Sequence, residues 1–105
     1  MNLKDAAAHC DKAWSQYAEK HQIKRDDEFY FFKMQEELGE LIRAFLELRG
    51  SEKQRKSSIE ELKSRLASDI TSLVGNALIL SKHFEVDLEK TLKQKFPVLD
   101  ISNHK

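Results

Sequence analysis

A 105-residue chain with eighteen basic and eighteen acidic side chains has a formal net charge of zero, which argues against a nucleic-acid polymer held on a basic surface. Hydrophobic residues make up 40% of it, enough for one modest core and one domain, and three Gly with a single Pro leave few breaks in what should be long helices. Cys10 is alone, no apolar run reaches the ~18 residues of a membrane span, and the N-terminus lacks an apolar signal core, so the chain reads as a cytoplasmic protein with no membrane partner.

Four helical segments are predicted in one domain, residues 1–100, followed by a frayed tail from Ile101 to Lys105. The first runs from about Leu3 to Lys20 and repeats Ala6, Ala7, Cys10, Trp14, Tyr17 and Ala18 at three- and four-residue spacing. His21 to Arg25 form a polar connector. Asp26 or Asp27 then caps a second helix that stops at Gly50, because a short carboxylate accepts the free N–H groups of the first turn. Ser51 to Lys56 is a charged loop, and its Lys53, Arg55 and Lys56 read as a solvated linker that could also close over a phosphate tail. Ser57 or Ser58 caps the third helix, with Glu60 and Glu61 favoured by the helix dipole, and this helix continues to about His83. Asp87 caps the fourth, which ends near Phe96-Pro97.

The chemistry concentrates in the second helix, at Lys33-Met34-Gln35-Glu36-Glu37-Leu38-Gly39-Glu40-Leu41. Glu37 and Glu40 are three residues apart and share a face, with Lys33 one turn before Glu37. Two carboxylates so close repel unless a cation lies between them, and Mg2+, which prefers oxygen ligands, meets that need. On a helical wheel Met34, Leu38, Leu41 and Phe45 form an apolar line. Glu37 falls in angle between Ala44 and Leu48, at the edge of that stripe, where a carboxylate is costly without a partner. Glu36 and Arg43 point further out and read as an exposed pair. The plain alternative for the whole stretch is a solvated helix of Glu/Lys/Arg pairs.

The third helix has the same character. Leu62, Leu66, Ile70, Leu73, Ala77, Leu80 and Phe84 make its apolar stripe, and Asp69 lies within about 20° of Leu62 and Leu80, so it should face inward. Arg65, Ser72 and Asn76 follow the same edge. Such a polar line needs hydrogen bonds, water or an ion; a buried network such as Arg65 with Asp69 is the structural alternative to a metal site. His9, His21, His83 and His104 show no zinc spacing, and Cys10 reads as a buried structural thiol.

Phe32 to Leu41 resembles the first motif of the MazG-like, all-α nucleoside triphosphate pyrophosphohydrolases, a family marked by EExxE on one helix and ExxD on a later one. Trp14 sits where such proteins often carry a Trp. Phe84-Glu85-Val86-Asp87-Leu88-Glu89-Lys90 is similar to the family's LGIDLEE turn, and Lys95 matches a lysine near the end of the last helix. Counting back from Asp87 without gaps puts Asp69 at the Glu of ExxD and Ser72 at its Asp, so one of four acidic ligands is missing. A rival register puts Asp69 at the motif's Asp, but then Leu66 replaces the Glu and residues must be inserted before Asp87.

The resemblance implies an all-α, four-helix MazG-like bundle that assembles as a homo-oligomer, a dimer or a tetramer. A short helical chain with wide apolar stripes points to assembly as well. The implied activity is Mg2+-dependent (Mn2+ in its place) hydrolysis of an NTP or dNTP to the monophosphate and pyrophosphate. Glu37, Glu40 and Asp69 would hold the metal. Glu36 or Glu37 would act as base, and Lys33 would contact a phosphate. Ser72, Asn76 and Lys95 would line the substrate, and Trp14 or the Phe29-to-Phe32 cluster would face the base, although aromatics at helical spacing also build cores. House-cleaning of damaged nucleotides, dUTP removal and alarmone control all fit. The alternatives are a catalytically degenerate MazG-like module with a binding or regulatory role, and a plain helical interaction protein.

Overall fold

The computed structural model describes residues 1–99, so the tail expected over residues 101–105 lies outside the described residues. Four helices are present among the described residues: α1 (Leu3–His21), α2 (Asp27–Arg49), α3 (Ile59–His83) and α4 (Leu88–Lys95). Among the described residues no strand occurs and no helix is long and apolar enough to cross a membrane.

Side-chain caps set the helix starts. The carboxylate of Asp26 accepts from Phe29 N at 3.0 Å, the Ser58 hydroxyl from Glu61 N at 3.1 Å and Asp87 from Lys90 N at 3.2 Å. Asn2 does the same for Asp5 N at 2.8 Å. The ends follow less familiar rules. Gly50 stops α2 in an extended conformation (φ −68°, ψ 166°), not a left-handed one. The left-handed positions fall on Gln22 after α1 and Glu85 after α3, where a side chain costs more than glycine would. In the loop, Arg55 donates to the Gly50 carbonyl at 3.0 Å, and the Gln54 side chain accepts from Ser51 N at 3.0 Å. One cation of the basic cluster is thus tied to the end of α2.

Helix α3 is the axis of the fold: α2 packs along one flank, α1 along another, and the two-turn α4 leans on α1. Gly75 of α3 faces Cys10 of α1, whose Sγ would lie in ordinary contact, 3.6 Å, from a Cβ placed there. Cys10 is half-buried against the core, as a structural thiol. Tyr30, Leu62, Ile79 and Asn76 are the largest fully buried side chains. The expected apolar lines are buried on one flank only. Leu62 and Leu80 are inside, whereas Leu38, Phe45 and Ile70 are about half exposed. On α2 the buried residues are Tyr30 and Ala44, to one side of the stripe's centre, and Tyr30 packs with Ile79 and Leu80 of α3.

The start of α2 is clamped to the end of α3 by a cluster around Asp11. Its Oδ1 accepts from Arg25 Nη1 at 3.1 Å and its Oδ2 from Lys82 Nζ at 2.8 Å. The ring nitrogens of His83 lie 3.3 Å from Asp11 Oδ1 and 3.1 Å from Asp27 Oδ1. Arg25 also donates to the hydroxyl of the buried Tyr30 and, at 3.0 Å, to Ser15. Burial alone would raise the Asp11 carboxyl; the donors Lys82, Arg25 and His83 outweigh it and hold the group below the usual aspartate range.

Candidate functional site

Shifting the α2–α3 contact to the flank of the stripe carries Glu37 into the contact face, because it shares its angle with Ala44 and Leu48. Its Oε2 accepts from Asn76 Nδ2 on α3 at 3.2 Å. Asn76 is 1% exposed, and its own Oδ1 is buried with no partner. An unsatisfied buried amide oxygen costs free energy, and it is the kind of neutral oxygen a hard cation accepts. Burial pushes the Glu37 carboxyl up. Lys33 opposes that shift, and the charges of Glu40, Glu36 and Asp69 add to it. The charges of Glu40, Glu36 and Asp69 thus all act on Glu37.

Glu40 of α2 and Asp69 of α3 line one recess of about 300 Å3, together with Arg43, Arg65 and Ser68. The two arginines change the expected picture. Arg43 lies in the recess and forms no ion pair with Glu36 among the described residues; Glu36 pairs instead with Lys33, Nζ to Oε2 3.7 Å. Arg65 reaches Glu47 on α2 at 3.6 Å, not Asp69. That separation is an ion pair but too long for a hydrogen bond, so Glu47 Oε2 stays buried without a donor. Sequence reasoning missed both arginines as site residues. The signal was present: Arg43 follows Glu40 by three residues and Arg65 precedes Asp69 by four, the spacings that put cation and carboxylate on one face.

The other expected residues divide. Ser72 is half-buried on the same helix as Asp69 and Asn76. Trp14 belongs to the core cluster, meeting Tyr17, Phe29 and Tyr30 edge to face with ring centres 5.3, 5.4 and 6.4 Å apart. Lys95 lies on the outlying α4, with its ammonium 5.9 Å from the Phe96 ring centre. Neither Trp14 nor Lys95 lines the recess. A cavity of about 770 Å3 lies between the start of α1, the end of α3 and the start of α4, and no expected site residue lines it. Its lining sets Lys4 and Lys82 against Glu85, Asp87 and Glu89, so it holds no excess of positive charge for a phosphate.

As the side chains stand, no three His, Cys, Asp or Glu groups converge into a ligand set among the described residues. The donor chemistry at hand is nonetheless all oxygen: Glu37, Glu40, Asp69, the Ser72 hydroxyl and the orphaned Asn76 Oδ1. That set suits Mg2+ or Mn2+ and suits zinc poorly. Comparison with known proteins returns no match to any family model, curated protein or solved structure.

Proposed function

We propose that this chain is a Mg2+-dependent nucleoside triphosphate pyrophosphohydrolase of the MazG-like type, working within a homo-oligomer. One observation carries the reading above the rest. A carboxylate, Glu37, occupies a helix–helix contact face where an apolar residue would be expected, beside further acids and against a buried amide with an unused oxygen. Such an arrangement is destabilising in the apo protein and is relieved by a cation.

Glu37, Glu40 and Asp69, with Asn76 Oδ1, would hold the metal. When bound, it would neutralise the polyphosphate and polarise the phosphoryl oxygens. Arg43 and Arg65 would receive phosphate oxygens through their planar forks, a role that suits arginine better than the point charge of Lys33. In the reaction a water oxygen attacks the α-phosphorus, the bond from that phosphorus to the α–β bridging oxygen breaks, and the monophosphate and pyrophosphate leave. Of the two expected bases, Glu37 is the better acceptor of the water's proton. It lies in the contact face beside the other acids, while Glu36 is engaged with Lys33.

A second reading has its own observation. In the recess two carboxylates already face two arginines, so its charge is balanced without an ion. With Ser72 in place of the motif's Asp, this balance favours a module that binds a nucleotide or phosphate ligand without turning it over. A pyrophosphate-release screen over natural and modified NTPs and dNTPs, with Mg2+ or Mn2+, separates the two. Turnover that falls at least 100-fold in Glu37→Gln supports the enzyme. Nucleotide binding without pyrophosphate release supports the module.

A further inference from the structure

The end of α4 carries a chemistry that the metal face does not use. No side chain of α4 is buried. Leu88, Leu92 and Phe96 fall within about 80° on a wheel, Lys95 and Lys93 flank that arc, and Lys90 lies behind it. Phe96, held before Pro97, leaves the helical conformation (φ −122°, ψ 67°) and ends the helix. The chain then runs on through Val98 and Leu99. Phe96, Val98 and Leu99 are 66%, 97% and 72% exposed, so none of them is packed into its own domain. The Lys95 ammonium lies 5.9 Å from the Phe96 ring centre, which places charge and bare apolar surface side by side.

Charge is distributed unevenly in the same place. Between Glu89 and Asp100 the chain carries Lys90, Lys93 and Lys95 and no acid. The chain as a whole is neutral, so the remainder holds an excess of three negative charges. At physiological salt, charges more than ~8 Å away are largely screened, and a surface touching this segment meets its lysines and little of that excess. Glu89 pairs with Lys93 at 3.5 Å, but both ends stand in solvent, where such a pair holds weakly. A polynucleotide would use the lysines and leave Val98 and Leu99 bare. An uncharged apolar groove would do the reverse. A protein groove would also have to match the break from helix to extended chain at Phe96, a demand that a fluid bilayer boundary does not make. An anionic lipid surface uses both features, apolar side chains at the acyl boundary and ammonium groups among the headgroups.

We infer that α4 and the extended segment to Leu99 attach the protein reversibly to an anionic lipid surface. Phe96, Val98 and Leu99 enter the boundary between headgroups and acyl chains, and Lys90, Lys93 and Lys95 lie among the lipid phosphates. The attachment is to the face of one leaflet, since no helix among the described residues is long and apolar enough to cross. The neutrality of the whole chain, which argues against a basic surface, conceals this one cationic end. The inference is independent of the proposed metal chemistry, whose Glu37 and Asp69 lie on α2 and α3.

Co-sedimentation with phosphatidylcholine vesicles carrying about one-third phosphatidylglycerol tests it, with pure phosphatidylcholine vesicles as the reference. At about 0.1 M salt the parent should partition at least ten-fold more strongly onto the anionic vesicles, and about 0.5 M salt should remove most of the difference. Phe96→Ser with Leu99→Ser, and Lys90→Glu with Lys93→Glu, should each weaken that binding at least ten-fold. Lys53→Glu, in a basic loop without apolar residues, should leave it unchanged. Because α4 buries no side chain, these variants should fold as the parent does, which circular dichroism checks. In a Cys10→Ala background, an environment-sensitive dye on Val98→Cys should take up its apolar spectrum on the anionic vesicles, and the same dye on Lys53→Cys should not. No binding to anionic vesicles overturns the inference and leaves an acid-rimmed groove on a partner protein as the occupant. Equal binding to both vesicles, or anionic binding that survives either double variant, overturns it as well.

Discussion

Asp11 and Glu37 are both partly buried carboxylates, on two helices packed against α3, and their surroundings push them in opposite directions. Asp11 accepts from Arg25 and Lys82 and touches His83, and these partners overcome the cost of its burial. Glu37 has one neutral amide donor and several like charges, so burial prevails. The first cluster is a finished clasp that fixes the start of α2 to the end of α3. The second leaves Glu37 with a single donor and the Asn76 oxygen with none, held there by the helices around them. Stability is concentrated at one end of the helix pair and unsatisfied chemistry further along it.

Breaking the clasp should have the largest effect. Asp11→Ala leaves Arg25, Lys82 and His83 without their common acceptor. It should cost about 2–3 kcal/mol, the lower part of the range for a buried network because the cluster is partly open to solvent. Chemical denaturation at neutral pH measures it, and a loss below about 0.5 kcal/mol would make the clasp a surface feature of no consequence.

Glu37→Gln should act in the opposite sense. Removing a poorly partnered charge should raise apo stability at neutral pH, by an amount on the order of 1 kcal/mol or less. The pH dependence follows from the raised folded-state pKa. The native chain holds the Glu37 proton more tightly than the unfolded chain does. That contribution is fully present below the ordinary glutamate value of 4.5 and is lost as pH rises through the higher folded value. The advantage of Glu37→Gln over the parent should therefore shrink towards pH 4.5. Asp11 runs the other way. Its folded pKa is depressed, so its contribution persists above the ordinary aspartate value of 3.8 and disappears as pH falls through the lower folded value. Denaturation of parent and both variants from pH 3 to pH 8 gives these two profiles, and profiles of the same sign would remove the contrast.

Ser72→Asp sharpens the comparison with a smaller effect. A fourth carboxylate beside Asp69 and Glu37 should lower apo stability by a few tenths to about 1 kcal/mol. It should also enlarge the stabilisation by Mg2+ or Mn2+ in a thermal shift. If neither quantity moves, Ser72 does not face the acids, and the ungapped alignment with ExxD loses its support.

The parts of this fold that were legible in the sequence are those written locally. Asp26, Ser58 and Asp87 declare their helices because a cap acts over three residues, and the wheel already grouped Glu37 with Ala44 and Leu48. What could not be read depends on partners distant in the chain. Lys82 and His83 reach Asp11 across more than seventy residues, and no local pattern encodes that meeting. The flank by which α2 meets α3 depends on the shape of both helices together, so Phe45 and Ile70 read as core although one chain leaves them half exposed. Asn76 was legible as a polar residue beside a stripe. Its unused oxygen appears only once Glu37 occupies its amide nitrogen.

Calorimetric titration of Mg2+ into the parent and into Glu37→Gln, with helix content followed by circular dichroism, tests the central claim most directly. If the cost of placing Glu37 in the contact face is the cost of an empty metal site, the parent binds Mg2+ at micromolar to millimolar concentration. Glu37→Gln should then bind at least ten-fold more weakly with its helix content unchanged. Equal binding by both proteins, or no binding by the parent even with a nucleoside triphosphate present, would contradict the account.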